Sequence, residues 1–309
     1  MFSLSFYEGK KEKNLRKKSL KNKLLSVCMI TADSDDFVYE SLSSVYEFAD
    51  EIIVVDNNSQ DNTLEILHSF PQTKMKIISR KFEGKNYQEI VKQKRNICLS
   101  KAKGNWLLVI DPDEIYKYKD MIWMLNTIKN TRKIHLRYNS VQFWRDYDHV
   151  IVGPHWDDSQ ERCIKNLSGL KYDKFAFSVS VNGEILAKKY GKKYEDGIYW
   201  AGKAEIRIFH YGYVTNPWKI KRKITNYLLS DNPMVNESNI EQFVLKHPYF
   251  SGHLNQPRHG SEGLWIAGID NKKQKEEVHP FQEEHPESMG AKVEEFRRTG
   301  KMPWEIILE

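Results

Sequence analysis

The fold class that this sequence predicts is α/β, a mostly parallel sheet flanked by helices, and three observations predict it. Between Leu24 and Ile110, short runs of apolar and β-branched residues alternate with longer stretches whose apolar residues recur at helical spacing. Each apolar run stops at a turn rich in Asp, Asn, Ser or Gly. No heptad run, internal repeat or low-complexity tract competes with that pattern.

The elements follow in order. Leu25 to Thr31 is a strand that stops at Ala32-Asp33-Ser34-Asp35-Asp36, and Phe37, Leu42, Val45 and Phe48 then recur at helical spacing behind Ser and Asp caps. Ile52 to Val55 is the next strand; after its turn at Asp56-Asn57-Asn58-Ser59, Asp61 caps a helix carrying Leu64, Ile66 and Leu67. Lys74 to Ile78 is a third strand. Tyr87 to Ala102 is a long helix rich in Lys and Gln, closed by Gly104. Trp106 to Ile110 is the central strand. Four such β-α units in sequence predict a Rossmann-like sheet with right-handed crossovers.

Composition bounds the rest. A chain of 309 residues can bury a full core in one large domain or a domain with an extension. The formal charge of +6 is a mild excess, crowded into Lys10 to Lys23, where a solvated arm is the plain reading and contact with phosphates the functional one. No apolar run reaches the length of a membrane-spanning helix, and the first residues lack the apolar core of a signal peptide, so a cytoplasmic protein is expected, possible membrane association being peripheral. Cys28, Cys98 and Cys163 lie far apart, which predicts reduced core thiols.

The chemistry gathers at Asp111-Pro112-Asp113-Glu114. The carboxyl end of a parallel strand is where α/β proteins bind ligands, and the proline between the two aspartates stiffens their backbone. Like charges held close call for a cation, and hard oxygen donors suit Mg2+ or Mn2+ with positions left open for a nucleotide's phosphates. Standing alone, an Asp-x-Asp serves as well for a cap or a solvated turn.

It does not stand alone. Val27-Cys28-Met29-Ile30-Thr31, Glu51 to Thr63, Lys94-Arg95-Asn96 and Gly104 to Glu114 together resemble the family 2 glycosyltransferases, in order and at the right strand ends, over Leu24 to Asp120. The resemblance implies a GT-A fold that binds a nucleotide-sugar, a UDP-sugar being the expected donor, through a divalent metal, Mn2+ or Mg2+. It places Thr31 and Asp33 beside the base, Asp56 on the base or ribose, Arg95 at the diphosphate, Asp111 at the ribose, a metal-bound water or the metal itself, and Asp113 on the metal. Asn57 and Asp33 depart from the acid and the Asn that many relatives carry there, which bears on donor choice. Without that context, Asp56 and Asp61 read as helix caps and Arg95, beside Lys92 and Lys94, as one charge on a solvated face.

The second half is less regular. Ile134 to Trp144 reads as a long strand, Asp146 to Gln160 as a polar loop, Tyr172 to Ala187 as a hairpin around Asn182-Gly183, and Lys188 to Lys203 as loop. Ile206 to Tyr213 is a strand ending in His210-Tyr211-Gly212, and Asn216-Pro217 opens a basic helix through Lys219, Lys221, Arg222 and Lys223, whose cations read either as phosphate contacts or as a solvated face. The same resemblance makes His210 a further metal ligand, which neutral imidazole can be. It also implies an inverting displacement with a carboxylate base from the acceptor half. The candidates are Asp157, Asp158, Glu184, Glu195 and Asp196, of which Asp158 and Asp196 are preferred.

The expected organisation is a basic arm at 1–23, a glycosyltransferase domain at 24–229 with donor half 24–120 and acceptor half 121–229, and an irregular Pro- and His-bearing extension at 230–309 that docks through Phe296, Trp304 and Ile307. A saccharide, a glycolipid or a modified DNA base are the acceptor classes left open, the last as a virus-encoded enzyme acting in host cytoplasm would use. Two rival classes remain. A sugar nucleotidyltransferase needs a Gly-rich phosphate loop where this chain has Ala32 to Asp36, and a non-catalytic binding module would lack the metal acids that are present.

Overall fold

Strands β1 (Leu25–Thr31), β2 (Glu51–Asp56), β3 (Met75–Ser79) and β4 (Trp106–Ile110) form where the apolar runs place them. The structure is a computed structural model that describes residues 23–153, 159–173, 178–185, 198–200, 206–232, 234–251 and 277–306. In it these four strands lie in the order β3-β2-β1-β4, all parallel, with α1 (Val38–Tyr46), α2 (Thr63–Ser69) and α3 (Tyr87–Lys101) in the connections. The strands lack polar alternation because both faces are covered. Val27, Met29, Val54, Leu108 and Ile110 meet Val38, Leu42 and Val45 of α1 and Met121 and Met124 of α4 (Tyr118–Asn130). Their neighbours Cys28, Ile30, Ile53, Val55 and Val109 point the other way, onto Val91 and Cys98 of α3. One expectation needs correcting here: α1 starts at Phe37 without a side-chain cap, and its first amides bond the Ser34 carbonyl.

After β4 the sheet becomes mixed. The short β5 (Glu114–Ile115) and the long β6 (His135–Phe143) are followed by β7 (His149–Val152) and β8 (Ser159–Lys165), both within or at the edge of the stretch expected as loop. β8 pairs antiparallel with β4 on one side and β6 on the other. Its sequence is largely polar, so a strand forms there because neighbours satisfy both of its edges, a tertiary cause that periodicity does not carry. Leu170–Lys171, Ser180–Val181 and Glu184–Ile185 (β9, β10 and β11) make a separate small sheet. The expected hairpin turn is there, with φ of 53° at Asn182 and 80° at Gly183, the left-handed pair that a two-residue turn requires.

Within the segment expected as loop, β12 (Ile198–Trp200) pairs with β6. β13 (Arg207–His210) runs parallel to β6 and antiparallel to β5, which sets His210 opposite Glu114. Helix α5 (Pro217–Asp231) follows, its first turn capped by the Asn216 side chain. The C-terminal part has short elements: α6 (Ile240–Lys246), β14 (Glu277–Pro280) paired with β7, and α7 (Gly290–Thr299). Met289, Val293, Phe296 and Trp304 pack onto Phe37, Phe143, Tyr147 and Tyr211, whereas Ile307 and the arm at residues 1–22 lie outside the described residues. All three cysteines are buried and unbridged. Among the described residues no helix is long and apolar enough to cross a membrane.

Candidate functional site

The carboxyl ends of β1 and β4, the start of α3, the end of β13 and one face of α5 enclose a cleft of about 650 Å³, a size that suits a small-molecule ligand. Thr31, Asp33, Arg95, Asp111, Asp113 and His210, six of the residues singled out from sequence, line it.

Asp111 and Asp113 point to different partners. Arg95 Nη2 donates to both oxygens of Asp111, at 2.9 and 3.1 Å, and Arg162 Nη2 reaches Oδ2 at 3.3 Å. Burial alone would raise the Asp111 pKa, but the two guanidiniums hold it below the ordinary carboxylate range. Asp113 Oδ2 lies 3.2 Å from Lys223 Nζ and 3.4 Å from His210 Nε2. Burial again opposes ionisation, and here the Lys223 ammonium prevails, holding Asp113 far below the ordinary range. His210 Nδ1 meets Gln142 Oε1 at 2.5 Å, and the Gln142 amide donates to Ser140 Oγ, so the imidazole proton belongs on Nδ1. As neutral imidazole, His210 turns its Nε2 lone pair toward the Asp113 carboxylate, an arrangement of two acceptors that can share a cation.

That geometry fits a divalent metal held by Asp113 and His210, with remaining positions left to water and phosphate. Asp111 is turned instead to Arg95 and Arg162, which makes it the weaker candidate for a direct ligand. Among the described residues no three His, Cys, Asp or Glu side chains form a metal cage.

Arg95 and Lys94 are not on a solvated face. Both are buried on the stripe that α3 turns to the sheet, with Val91, Cys98 and Leu99. Lys94 Nζ donates to the Thr31 carbonyl at 3.2 Å, and burial pushes its pKa down to about 8. Affinity of the cleft for an anionic ligand is therefore expected to fall as pH rises through about 8, where Lys94 loses its charge, and to be flat over that range in Lys94→Met. Calorimetric titration of UDP at pH 7 and 9 checks this.

Asp56 stands behind the wall. It is fully buried, and it accepts from Thr31 Oγ1 (2.9 Å), Ser59 Oγ (2.5 Å), Ser59 N (3.0 Å) and Ser79 Oγ (2.7 Å), which ties three strand ends together. Its neighbour Asn57 lines the cleft instead. Asp33 has φ of 47°, accepts from the Gln60 amide at 2.7 Å and pairs with Arg222 at 2.7 Å. Asp35 and Asp36 are partners of Lys219, at 2.6 and 2.7 Å, and are not helix caps. Asp157, Asp158, Glu195 and Asp196 lie outside the described residues; Glu184 sits on β11 and is not part of the cleft lining.

Several cleft residues have no role assigned from sequence, and for Lys223 the sequence leaves both phosphate contact and solvated face open. Lys94 could have been found from its place on the Val91, Cys98 and Leu99 stripe. Lys223 shares a helix face with Lys219 and Arg222, at spacings of three and four, while Lys221 points away to Glu241. Tyr87 and Tyr227 meet edge to face with ring centroids 5.4 Å apart, and both line the cleft. Arg162, on β8, arrives from a segment with no recognisable strand pattern.

Residues 26–178 match the family model described as glycosyl transferase family 2. Through this segment the chain belongs to the family 2 glycosyltransferases. Its mixed, mostly parallel half-sheet with helices on both faces is the α/β arrangement expected. Among solved structures, S. aureus TarS 1-349 in complex with UDP-GlcNAc is 17% identical, covering 75% of this chain and 72% of that one, with a TM-score of 0.39. The glucosyl-3-phosphoglycerate synthase of Mycobacterium tuberculosis, in complex with Mn2+, UDP and glucosyl-3-phosphoglycerate, is 14% identical over 73% of this chain and 86% of that one, with a TM-score of 0.43. A TPR repeat-containing protein of Synechococcus elongatus is 31% identical over 90 residues. That match takes in 29% of this chain, which spans only about a fifth of that relative's length. In this family 2 domain, therefore, the matched segment holds both aspartates, Lys94, Arg95 and Arg162, while His210 and Lys223 lie beyond it.

Proposed function

We propose that this chain transfers a sugar from a nucleotide-sugar, with UDP the first nucleotide to test, to an acceptor hydroxyl, and that it does so with a divalent metal and inversion at the anomeric carbon. Residues 24–120 serve as the donor half and 121–229 as the acceptor half, with 230–309 packed upon them. The observation that carries the reading is the cleft itself: buried cations on α3 and cationic side chains on α5 converge on one end of the parallel sheet, opposite the Asp113 and His210 pair.

In this reading, Thr31, Asp33 and Asn57 border the base and ribose. Arg95 fixes Asp111, which is left ionised as an acceptor near the ribose, and Lys94 adds positive charge under the nucleotide. Asp113 and His210 would hold the metal, which when bound offsets the charge of the departing diphosphate. A carboxylate of the acceptor half, Asp158 or Asp196, takes the acceptor's proton as its oxygen attacks the anomeric carbon from the face opposite the leaving group. The acceptor is a saccharide, a glycolipid or a modified DNA base; binding to duplex DNA that weakens steeply with salt would favour the last.

The test is the thermal stability of the protein with UDP-, GDP-, CMP- and dTDP-sugars, with and without Mn2+. One nucleotide is expected to raise Tm in a metal-dependent way. Stabilisation by none of the four would overturn the donor-site assignment.

A further inference from the structure

Three groups crowd around Gly212. A Cβ built there would lie 2.5 Å from Asp113 Oδ2, 2.5 Å from Lys223 Nζ and 2.6 Å from His210 Cε1. Only a residue without a side chain leaves that cradle open, and the ammonium of Lys223 fills it. It is placed 3.2 Å from Asp113 Oδ2, 3.3 Å from the Gly212 carbonyl and 5.1 Å from the centroid of the Tyr213 ring. It thus sits beside the facing acceptors Asp113 Oδ2 and His210 Nε2, where the cation they can share belongs.

The helix that delivers it is pinned at the same rim. Lys219 holds Asp35 and Asp36, Arg222 holds Asp33, and Lys223 holds Asp113, so each cation of this face of α5 neutralises an acid bordering the cleft. Of those acids, only Asp113 belongs to the metal pair. A diphosphate arriving in the cleft offers Lys223 a more highly charged partner within reach of a flexible side chain.

We infer that Lys223 is the resident cation of the Asp113–His210–Gly212 cradle in the donor-free protein, and that it exchanges Asp113 for the donor's diphosphate, so that Asp113 becomes free for metal only as donor binds. The inference rests on the donor-site reading above. It makes Lys223 a donor-contacting residue that also enforces joint loading of metal and nucleotide. Without Lys223, metal would load first.

Mn2+ binding followed by electron paramagnetic resonance of the free ion, with and without UDP, tests this in the full chain. The wild-type protein is expected to bind Mn2+ weakly alone and tightly with UDP. Lys223→Met is expected to bind Mn2+ alone at least about tenfold more tightly, because a competing unit charge is gone, and to bind Mn2+ with UDP about tenfold less tightly. Lys223→Arg, which keeps the charge, should retain the weak nucleotide-free binding, and circular dichroism melts of each variant report whether it folds. Unchanged nucleotide-free Mn2+ affinity in a folded Lys223→Met, with wild type still binding Mn2+ in the presence of UDP, overturns the exchange and leaves the donor site standing. Failure of wild type to bind Mn2+ with UDP or with any of GDP, CMP and dTDP in its place overturns both.

Discussion

Replacing Asp113 with alanine is expected to lower kcat by about 10³-fold, roughly 4 kcal/mol of barrier, and to abolish the metal-dependent rise in Tm with nucleotide. Among the described residues, Asp113 is the one carboxylate of the cleft that faces both His210 and Lys223, and its oxygen is not held by arginine. Removing it leaves a half-buried ammonium without its anion, so some loss of stability accompanies the loss of function. Asp113→Asn separates the two effects: it keeps the volume and a hydrogen-bond acceptor for Lys223 but not the charge. Turnover and Mn2+-dependent nucleotide binding should fall nearly as far in Asn as in Ala, with a smaller drop in Tm. Activity within a factor of a few of wild type in either variant would remove Asp113 from the metal site.

The second large effect concerns stability. Arg162 is buried, and its Nε and Nη2 reach Glu114 at 2.5–3.1 Å while Nη2 also reaches Asp111. Glu114 Oε2 in turn accepts from the Asp111 amide at 3.1 Å, so this one guanidinium ties the turn after β4 to the strand beside it. Arg162→Met is expected to cost about 3–5 kcal/mol, because Glu114 would be left as an uncompensated buried charge. In urea unfolding this appears as a lower midpoint, and in a thermal scan as a fall of roughly 10 °C. Adding Glu114→Gln should recover part of the loss, since it removes the charge left unpaired. A change below about 1 kcal/mol would mean that the network is no anchor.

Legibility in the sequence divides along a physical line. Residues 24–120 could be read because each signal there is local: apolar runs too long for exposed strands, turns of Asp and Asn at their ends, and a 3.6-residue stripe on α3. The same locality explains the readings that went astray. Asp35 and Asp36 look like caps because Asp before an apolar repeat favours a helix start. Their partner, Lys219, is nearly two hundred residues away, and no local rule points to it. Asp56 reads as a ligand from its motif, yet strand order surrounds it with Thr31, Ser59 and Ser79 and closes it off.

By itself, then, the sequence determined the parallel half of the sheet, the order of its elements, the Asp111 and Asp113 pair at a strand end and the strand that carries His210. Only the tertiary structure decided that β8 slips between β4 and β6 and brings Arg162 to Asp111, that His210 comes opposite Glu114, and that α5 turns Lys223 into the cleft. The reason is range. Hydrophobic periodicity reports what one segment must bury, whereas the pairing of a polar strand and the meeting of charges far apart in the chain are set by which edges and faces the assembled sheet leaves open.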